Sequence, residues 1–230
     1  MVMENSIQAD IRRRKYTKVE RMLVVLVSGL IILTGLIAAF FIFRYISERN
    51  APPKTYYDYQ LRVWRSALEK SPKDPAIHTN LGYVYMKMGN EAKGLSYFNQ
   101  ALKLEKNFVP ALYNLGMYYK KHNRQKEAVS YLEKAGKHAV KGNKYLAYFS
   151  LGELYMDSKE YDKAIESIKQ SLDDNSTIWN SYETLGRIYE IKGDKALALE
   201  NYKKALSFNP DNAGLKRAID KVENGNAGNN

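Results

Sequence analysis

A Leu-Gly dipeptide that recurs at a nearly constant interval is the feature that most restricts how this 230-residue chain can fold. The dipeptides begin at positions 81, 115, 151 and 185, so the intervals are 34, 36 and 34 residues. Each glycine is followed three positions later by tyrosine and twelve positions later by a small residue. A bulky apolar residue comes four positions after that, and a second small residue three positions further on. Periods of this length are typical of solenoids, in which each unit buries its apolar face against a neighbour.

These residues resemble the tetratricopeptide repeat, a unit of 34 residues that folds as a helix, a turn and a second helix. Residues 179–212 match the pattern most fully, from Leu185-Gly186 to Asn209-Pro210. The resemblance implies an all-α solenoid that binds other proteins, with the first helix of each unit lining the concave face. Gly89 and Gly193 fall at the expected turns between helices, where a positive φ suits glycine.

The repeat pattern predicts one half repeat, four full repeats and a capping helix within residues 55–222. The half repeat holds only a second helix, because its first helix would fall inside an apolar segment further upstream. The interval of 36 marks a two-residue insertion, which we place in 136–144. The predicted segments are a basic tail (1–21), a transmembrane helix (22–43), a short Pro-containing linker (44–54), the half repeat (55–74), four repeats (75–108, 109–144, 145–178 and 179–212), a capping helix (213–222) and a disordered tail (223–230).

The segment 22–43 contains no charged residue and has the length of a helix that crosses a bilayer of about 30 Å. Two alternatives are the core of a cleaved signal peptide and a buried helix of a soluble protein. A signal peptide has an apolar core of about 7–15 residues and ends at small residues, whereas this segment runs into Phe40 and Phe41. The sequence therefore favours an uncleaved anchor that contacts the lipid bilayer through 22–43.

The residues that flank this segment predict its direction. Six Lys or Arg residues precede it, and three follow within a similar distance. The positive-inside rule then places the N-terminus in the cytoplasm and the repeats outside it. Gly35 and Ala39 form one small-xxx-small pair, a pattern that could join two anchors as a weak homodimer. The alternative is a chance occurrence in a span that contains Gly and Ala.

Composition narrows the classes of function. The chain has no cysteine, which excludes disulfides, thiolate metal sites and cysteine nucleophiles. Its net charge is +11, but both signs of charge are interspersed along the predicted helices, so we expect a solvated surface and no nucleic-acid binding. No phosphate-binding Gly loop, nucleophile elbow or metal-ligand spacing is present in the sequence. We therefore expect no enzymatic activity, no metal and no cofactor.

The phase of the repeat selects residues of the first helices as candidates for a peptide-binding groove. Aromatic and Met side chains dominate the first three units, and charges dominate the fourth, so the groove should take an apolar or helical segment first and a polar, basic segment farther out. The alternative is that Tyr83, Tyr113 and Phe149 pack on one another and fill a narrow superhelix. A carboxylate clamp of the kind some family members use is not expected, since only Asn114 matches it. The candidates are Thr79, Tyr83 and Met86, then Tyr113, Met117 and Lys120, then Phe149, Glu153 and Met156, and finally Glu183, Arg187 and Glu190.

Three hypotheses of function follow from this organisation. The first is a membrane-anchored scaffold that recruits or stabilises membrane-proximal protein partners of a membrane or envelope complex. The layout resembles bacterial single-span repeat proteins, so the expected location is the bacterial plasma membrane. The second is a chaperone or receptor for translocating polypeptides. The third is a cytoplasm-facing receptor of the organelle-import type.

Overall fold

The computed structural model describes residues 18–50 and 54–225, and within these ranges the chain forms eleven α-helices and no strand. The predicted all-α fold is confirmed. The chain divides into two units, Met1–Lys54 and Thr55–Asn230. The predicted tails 1–21 and 223–230 lie mostly outside the described residues, and their described residues 18–21 and 223–224 are helical, which corrects both predicted boundaries.

The first unit contains a single described helix, α1 (Lys18–Asn50). Its stretch Glu20–Ser47 is, in the part of the chain that the structure describes, the one helix long and apolar enough to cross a membrane, judged by length and composition. The hydroxyl groups inside this stretch bond to the backbone of their own helix. Thr34 Oγ1 donates to the Ile31 carbonyl at 2.9 Å, and Ser28 Oγ donates to the Val24 carbonyl. The helix also corrects the predicted linker. Residues 44–50 are helical, so the helix covers most of the segment predicted as linker.

The second unit is a series of helical hairpins preceded by one helix and followed by another. Each hairpin corresponds to one full repeat, and each second helix packs on the first helix of the next repeat. The helices are α2 (Tyr56–Lys70), α3 (Pro75–Lys87), α4 (Glu91–Leu104), α5 (Val109–Lys121), α6 (Gln125–His138), α7 (Tyr145–Asp157), α8 (Tyr161–Asp174), α9 (Trp179–Lys192), α10 (Lys195–Phe208) and α11 (Ala213–Asn224).

The recurring glycine lies where the two helices of a hairpin cross. A Cβ added at Gly186 would stand 2.6 Å from the ring of Tyr202, and one at Gly82 would stand 2.6 Å from the ring of Phe98. Both rings are almost fully buried, at 2% and 1% exposure. The glycine and the bulky residue sixteen positions later therefore form one close packing contact that repeats along the solenoid.

The turn between the two helices of each hairpin requires one residue with positive φ. Gly89 and Gly193 supply it in the first and fourth hairpins, with φ of 78° and 83°. Asn123 and Lys159 occupy the same place in the second and third, with φ of 56° and 60°. All four turns thus share one backbone geometry, although only two of them have the residue that adopts it freely.

The connection between α6 and α7 is the longest between two repeats. It has six residues, 139–144, whereas 105–108 and 175–178 have four each. Asp174 at the end of α8 holds this loop, because its carboxylate accepts the backbone N–H of Gly142 at 2.7 Å and of Tyr145 at 2.9 Å. Burial opposes ionisation of Asp174, but these N–H groups outweigh it and hold its pKa below the usual value. The two-residue insertion therefore lies in a loop with satisfied backbone groups.

Candidate peptide-binding groove

The first helices of successive repeats form one continuous layer. Helix α3 contacts α5, α5 contacts α7, and α7 contacts α9. Residues in equal phase on these four helices therefore lie on a common surface, which we call the groove surface. It contains the twelve predicted candidates.

The structure places these twelve side chains at different depths. Tyr83 is 46% exposed and Arg187 is exposed. Thr79 is buried, because its hydroxyl donates to the Pro75 carbonyl at 2.9 Å within the first turn of α3. We therefore remove Thr79 from the groove surface. The half-buried candidates are Met86, Tyr113, Met117, Lys120, Phe149, Glu153, Met156, Glu183 and Glu190.

Met86 has a structural partner on the second helix of its own repeat. A Cβ added at Gly94 would meet the Met86 side chain at 2.7 Å. The first repeat has glycine at this place, where the other three have alanine, and the thioether chain fills the space that the missing methyl leaves. Much of Met86 is therefore used for packing inside the hairpin.

The aromatic side chains of the groove surface do not stack on one another. Among the described residues, no ring contact joins Tyr83, Tyr113 and Phe149. The Tyr113 hydroxyl lies 3.5 Å from Ser150 Oγ, and its ring packs beside the core residues of α5, α6 and α7. Tyr83 lies under the ammonium of Lys87, which is 5.2 Å from the ring centroid. The superhelix is thus not filled by a stack of these three rings.

Two of the predicted charges are paired across the groove surface. Lys120 Nζ lies 2.7 Å from Glu153 Oε2, and the lysine side chain is only 20% exposed. This ion pair links α5 to α7, so neither charge is available to a ligand without breaking the pair. Asn114 also turns inward, donating to the Pro110 carbonyl at 2.7 Å.

Glu190 closes a network at the C-terminal end of the groove surface. Its carboxylate accepts hydrogen bonds from Lys221 Nζ at 2.7 Å and from the Tyr202 hydroxyl at 2.8 Å. The bond from Lys221 is the main reason that the pKa of Glu190 lies below its usual value. Burial and the neighbouring carboxylate raise the pKa of Tyr202. One of the acidic side chains predicted to face a ligand in the fourth repeat is therefore already bonded to side chains of α10 and α11.

A cleft of about 510 Å³ opens between α5 and α7. Its lining combines apolar and polar groups, with Met117 and Leu154 beside Lys120 and Asp157. The turn residues Asn123 and Ser158 close its far side. A cleft of this size and lining can receive a medium-sized side chain of a partner while polar groups bond to its backbone.

Two exposed apolar residues near the predicted phase were not among the candidates. Leu146 is 44% exposed on α7, one helical turn before Phe149. Ile191 is 56% exposed on α9, directly after Glu190. The helical spacing of the candidates could have identified them, because continuing that spacing to both ends of each first helix reaches these two positions.

Models of the tetratricopeptide repeat match residues 75–108, 109–135, 145–173 and 180–212. The chain belongs to the tetratricopeptide repeat family. Such repeats form protein–protein interaction scaffolds.

Similar proteins match this chain over stretches of different length. Human protein O-mannosyl-transferase TMTC1 is 24% identical over 169 residues, which is 73% of this chain and 19% of that protein. Photosystem I assembly protein Ycf3 of Acaryochloris marina is 37% identical over 70 residues, 30% of this chain and 42% of that protein. The crystal structure of MamA aligns with a TM-score of 0.58 at 25% identity, covering 69% of this chain and 91% of that chain. The chain spans less than a third of the length of the curated relatives that match most of it.

Proposed function

We propose that this tetratricopeptide repeat protein is a single-pass membrane-anchored scaffold that recruits or stabilises protein partners of a membrane or envelope complex. Helix α1 is the anchor, its N-terminus is cytoplasmic, and the repeats lie outside the cytoplasm of a bacterial cell. The observation that carries the proposal is the cleft between α5 and α7, together with the exposed apolar residues Tyr83 and Leu146 on first helices of the same layer.

The partner segment is amphipathic. Met117 and Leu154 offer the cleft an apolar wall, and Asn123 and Asp157 offer polar groups beside it. Leu146 extends the apolar contact along α7. A helix or extended strand with one or two apolar side chains on one face fits this surface.

An assembly role is consistent with the name of one relative, since the Acaryochloris marina protein of 37% identity is a photosystem I assembly protein. Its match covers 30% of this chain, so it supports the class of function and not a particular partner. A non-enzymatic role is part of the same proposal. Pairing of two anchors through Gly35 and Ala39 stays a hypothesis beside it.

Site-specific photo-crosslinking in intact membranes tests the groove. A crosslinking amino acid replaces Tyr83 or Leu146, and the matched control replaces Ser130, which is exposed on the second helix α6. We expect one stoichiometric protein product from the two groove positions and none from the control. Many weak products from the groove positions would instead indicate a chaperone for unfolded clients.

A substitution sharpens the same test. The double variant Tyr83→Ser and Leu146→Ser removes two exposed apolar contacts and should reduce capture at least tenfold, while thermal unfolding stays unchanged. Tyr113→Ser is unsuitable, because that ring packs against the core. Undiminished capture by the double variant would contradict the groove.

Protease added to sealed right-side-out vesicles tests the direction of the anchor. Repeats outside the cytoplasm should be cleaved without detergent. Protection of the repeats until detergent is added would reverse the orientation and support a cytoplasm-facing receptor.

A further inference from the structure

Helix α2 exposes a stripe of apolar side chains along its first half. Tyr56 is 69% exposed, Tyr59 52% and Val63 41%. Their spacing of three and four residues puts them on one face of the helix. The opposite face packs towards the first full repeat, where Arg65 donates to the Tyr85 hydroxyl at 2.6 Å. We call these three residues the α2 stripe.

Repeat symmetry explains why the α2 stripe is uncovered. Lys93 and Tyr97 stand 34 positions after Tyr59 and Val63, and both lie against Tyr85 of the first helix in their own hairpin. The Lys93 ammonium is 5.3 Å from the Tyr85 ring centroid, and the Tyr97 ring stacks on it at 5.5 Å. Helix α2 has no first helix of its own within its unit, so the corresponding face has no cover there.

A helix is a poor candidate to provide the cover. Crossing helices in the full repeats need glycine or alanine at the place that Gln60 occupies in α2. The Gln60 side chain accepts a hydrogen bond from Trp64 Nε1 at 3.1 Å and is fixed over that place. Three side chains also fall short of the roughly 800 Å² per partner that stable protein interfaces bury. A second copy or a partner helix would therefore find a small and obstructed surface.

The chemistry of the α2 stripe suits the polar boundary of a bilayer. Tyrosine has an apolar ring and a polar hydroxyl, and it is enriched at membrane–water interfaces. The face of α2 that carries the stripe has no acidic side chain, and the basic Lys70 is exposed on the same face. Basic side chains beside an apolar stripe are typical of helices that lie in the headgroup region.

The length of the chain before α2 supports the same occupant. Helix α1 ends at Asn50 and α2 begins at Tyr56. The intervening residues 51–55 reach at most about 18 Å when fully extended. A helix this closely tethered to a membrane anchor stays within reach of the headgroups.

We propose that the α2 stripe binds the headgroup region of the bilayer, with the two tyrosine rings inserted at the lipid–water boundary. This proposal rests on the anchoring role of α1 proposed above. It makes α2 a second, peripheral membrane contact that orients the solenoid.

Fluorescence quenching by labelled lipid tests the contact in the full chain. The chain has no cysteine, so Ser66→Cys beside the α2 stripe and Ser130→Cys on α6 each accept a single environment-sensitive dye. The proteins are reconstituted into phosphatidylcholine vesicles in which some headgroups carry a nitroxide. We expect quenching at Ser66→Cys to exceed that at Ser130→Cys several-fold. Adding Tyr56→Ser, Tyr59→Ser and Val63→Ser should bring it down to the control level.

The outcomes separate this proposal from the anchoring one. Extraction of the chain from the vesicles by alkaline carbonate would overturn the anchor, and the α2 contact with it. Retention of the chain with equal quenching at the two sites would overturn the α2 contact alone. A dye signal at Ser66→Cys that changes with protein density, without nitroxide, would show that a second copy covers the stripe and would also overturn it.

Discussion

The two ends of the solenoid are built in opposite ways. At the C-terminal end, α11 buries Leu215, Ile219 and Val222 against the last hairpin. At the N-terminal end, α2 has no fully buried residue and exposes Tyr59 and Val63. One end of the solenoid is thus closed by a cap, and the other is left open with apolar side chains exposed.

The difference lies in which face of each terminal helix is polar. Helix α11 places charged residues such as Lys216 and Asp220 on its outer face, and Asn212 caps its N-terminus by accepting the N–H of Gly214 at 2.9 Å. Helix α2 also has a complete cap, in which Thr55 and Asp58 bond reciprocally. Both helices are therefore well terminated, and only their outer faces differ.

The largest expected effect comes from the closed end. Leu215 is 1% exposed, so Leu215→Ala should lower the free energy of unfolding by about 2–5 kcal/mol through lost burial and a cavity. Val63→Ala at the open end should change it by less than about 0.5 kcal/mol. Urea titration of the full chain in mild detergent, followed by circular dichroism, measures both. Equal losses would mean that α2 is covered as tightly as α11.

A smaller difference in the free energy of unfolding should distinguish substitutions at a helix crossing in the last hairpin and at the corresponding place in α2. Gly186→Ala places a Cβ 2.6 Å from the Tyr202 ring and should cost about 1–3 kcal/mol. Gln60→Ala at the equivalent of a crossing position in α2 should cost about 1 kcal/mol or less, because only the bond from Trp64 is lost. The same titration measures the pair. A larger loss for Gln60→Ala would show that another element packs on it.

The smallest expected change in the free energy of unfolding depends on pH and comes from Glu190. The pKa of Glu190 is lowered in the folded chain, chiefly by Lys221, so its stabilising contribution is complete well above the unfolded value of about 4.3. The contribution disappears as the pH falls through the folded pKa. Glu190→Gln should therefore be less stable than the wild type at pH 7, by less than about 1 kcal/mol. The two proteins should converge in acid.

The open end provides the control for this pH dependence. Arg65 donates to the Tyr85 hydroxyl at 2.6 Å, a bond without a carboxylate. The difference between the wild type and Arg65→Gln should therefore stay constant over the acid range. Melting temperatures measured from pH 7 to pH 3 distinguish the two variants, and a constant difference for Glu190→Gln would contradict the role of its ionisation.

The sequence predicted the solenoid because its packing rule is local to each hairpin. The spacing between Gly186 and Tyr202 is set by one turn of fixed length, so it is visible in a single sequence. The depth of the groove residues is not local. Lys120 pairs with Glu153, 33 positions away in the next repeat, and this depends on how the two hairpins stack.

Local backbone contacts explain the remaining differences. Thr79 has the phase of a groove residue, but its hydroxyl bonds to the preceding turn. The predicted linker was too long, because residues 44–50 contain no proline or glycine that would end the helix. Apolar periodicity identifies helix faces, and it does not identify which side chain finds a bond nearby.

The positive-φ turns give the middle of the solenoid a different mechanical character from its ends. Lys159 holds a left-handed conformation that costs most non-glycine residues about 1–2 kcal/mol, whereas Gly89 and Gly193 adopt it freely and Asn123 adopts it at a smaller cost. The third hairpin therefore carries stored strain, and we expect it to open most readily by local fluctuation. The cleft lies between the second and third hairpins. A partner bound in the cleft would contact both hairpins at this junction. Its binding would reduce their local fluctuations and make the solenoid more rigid.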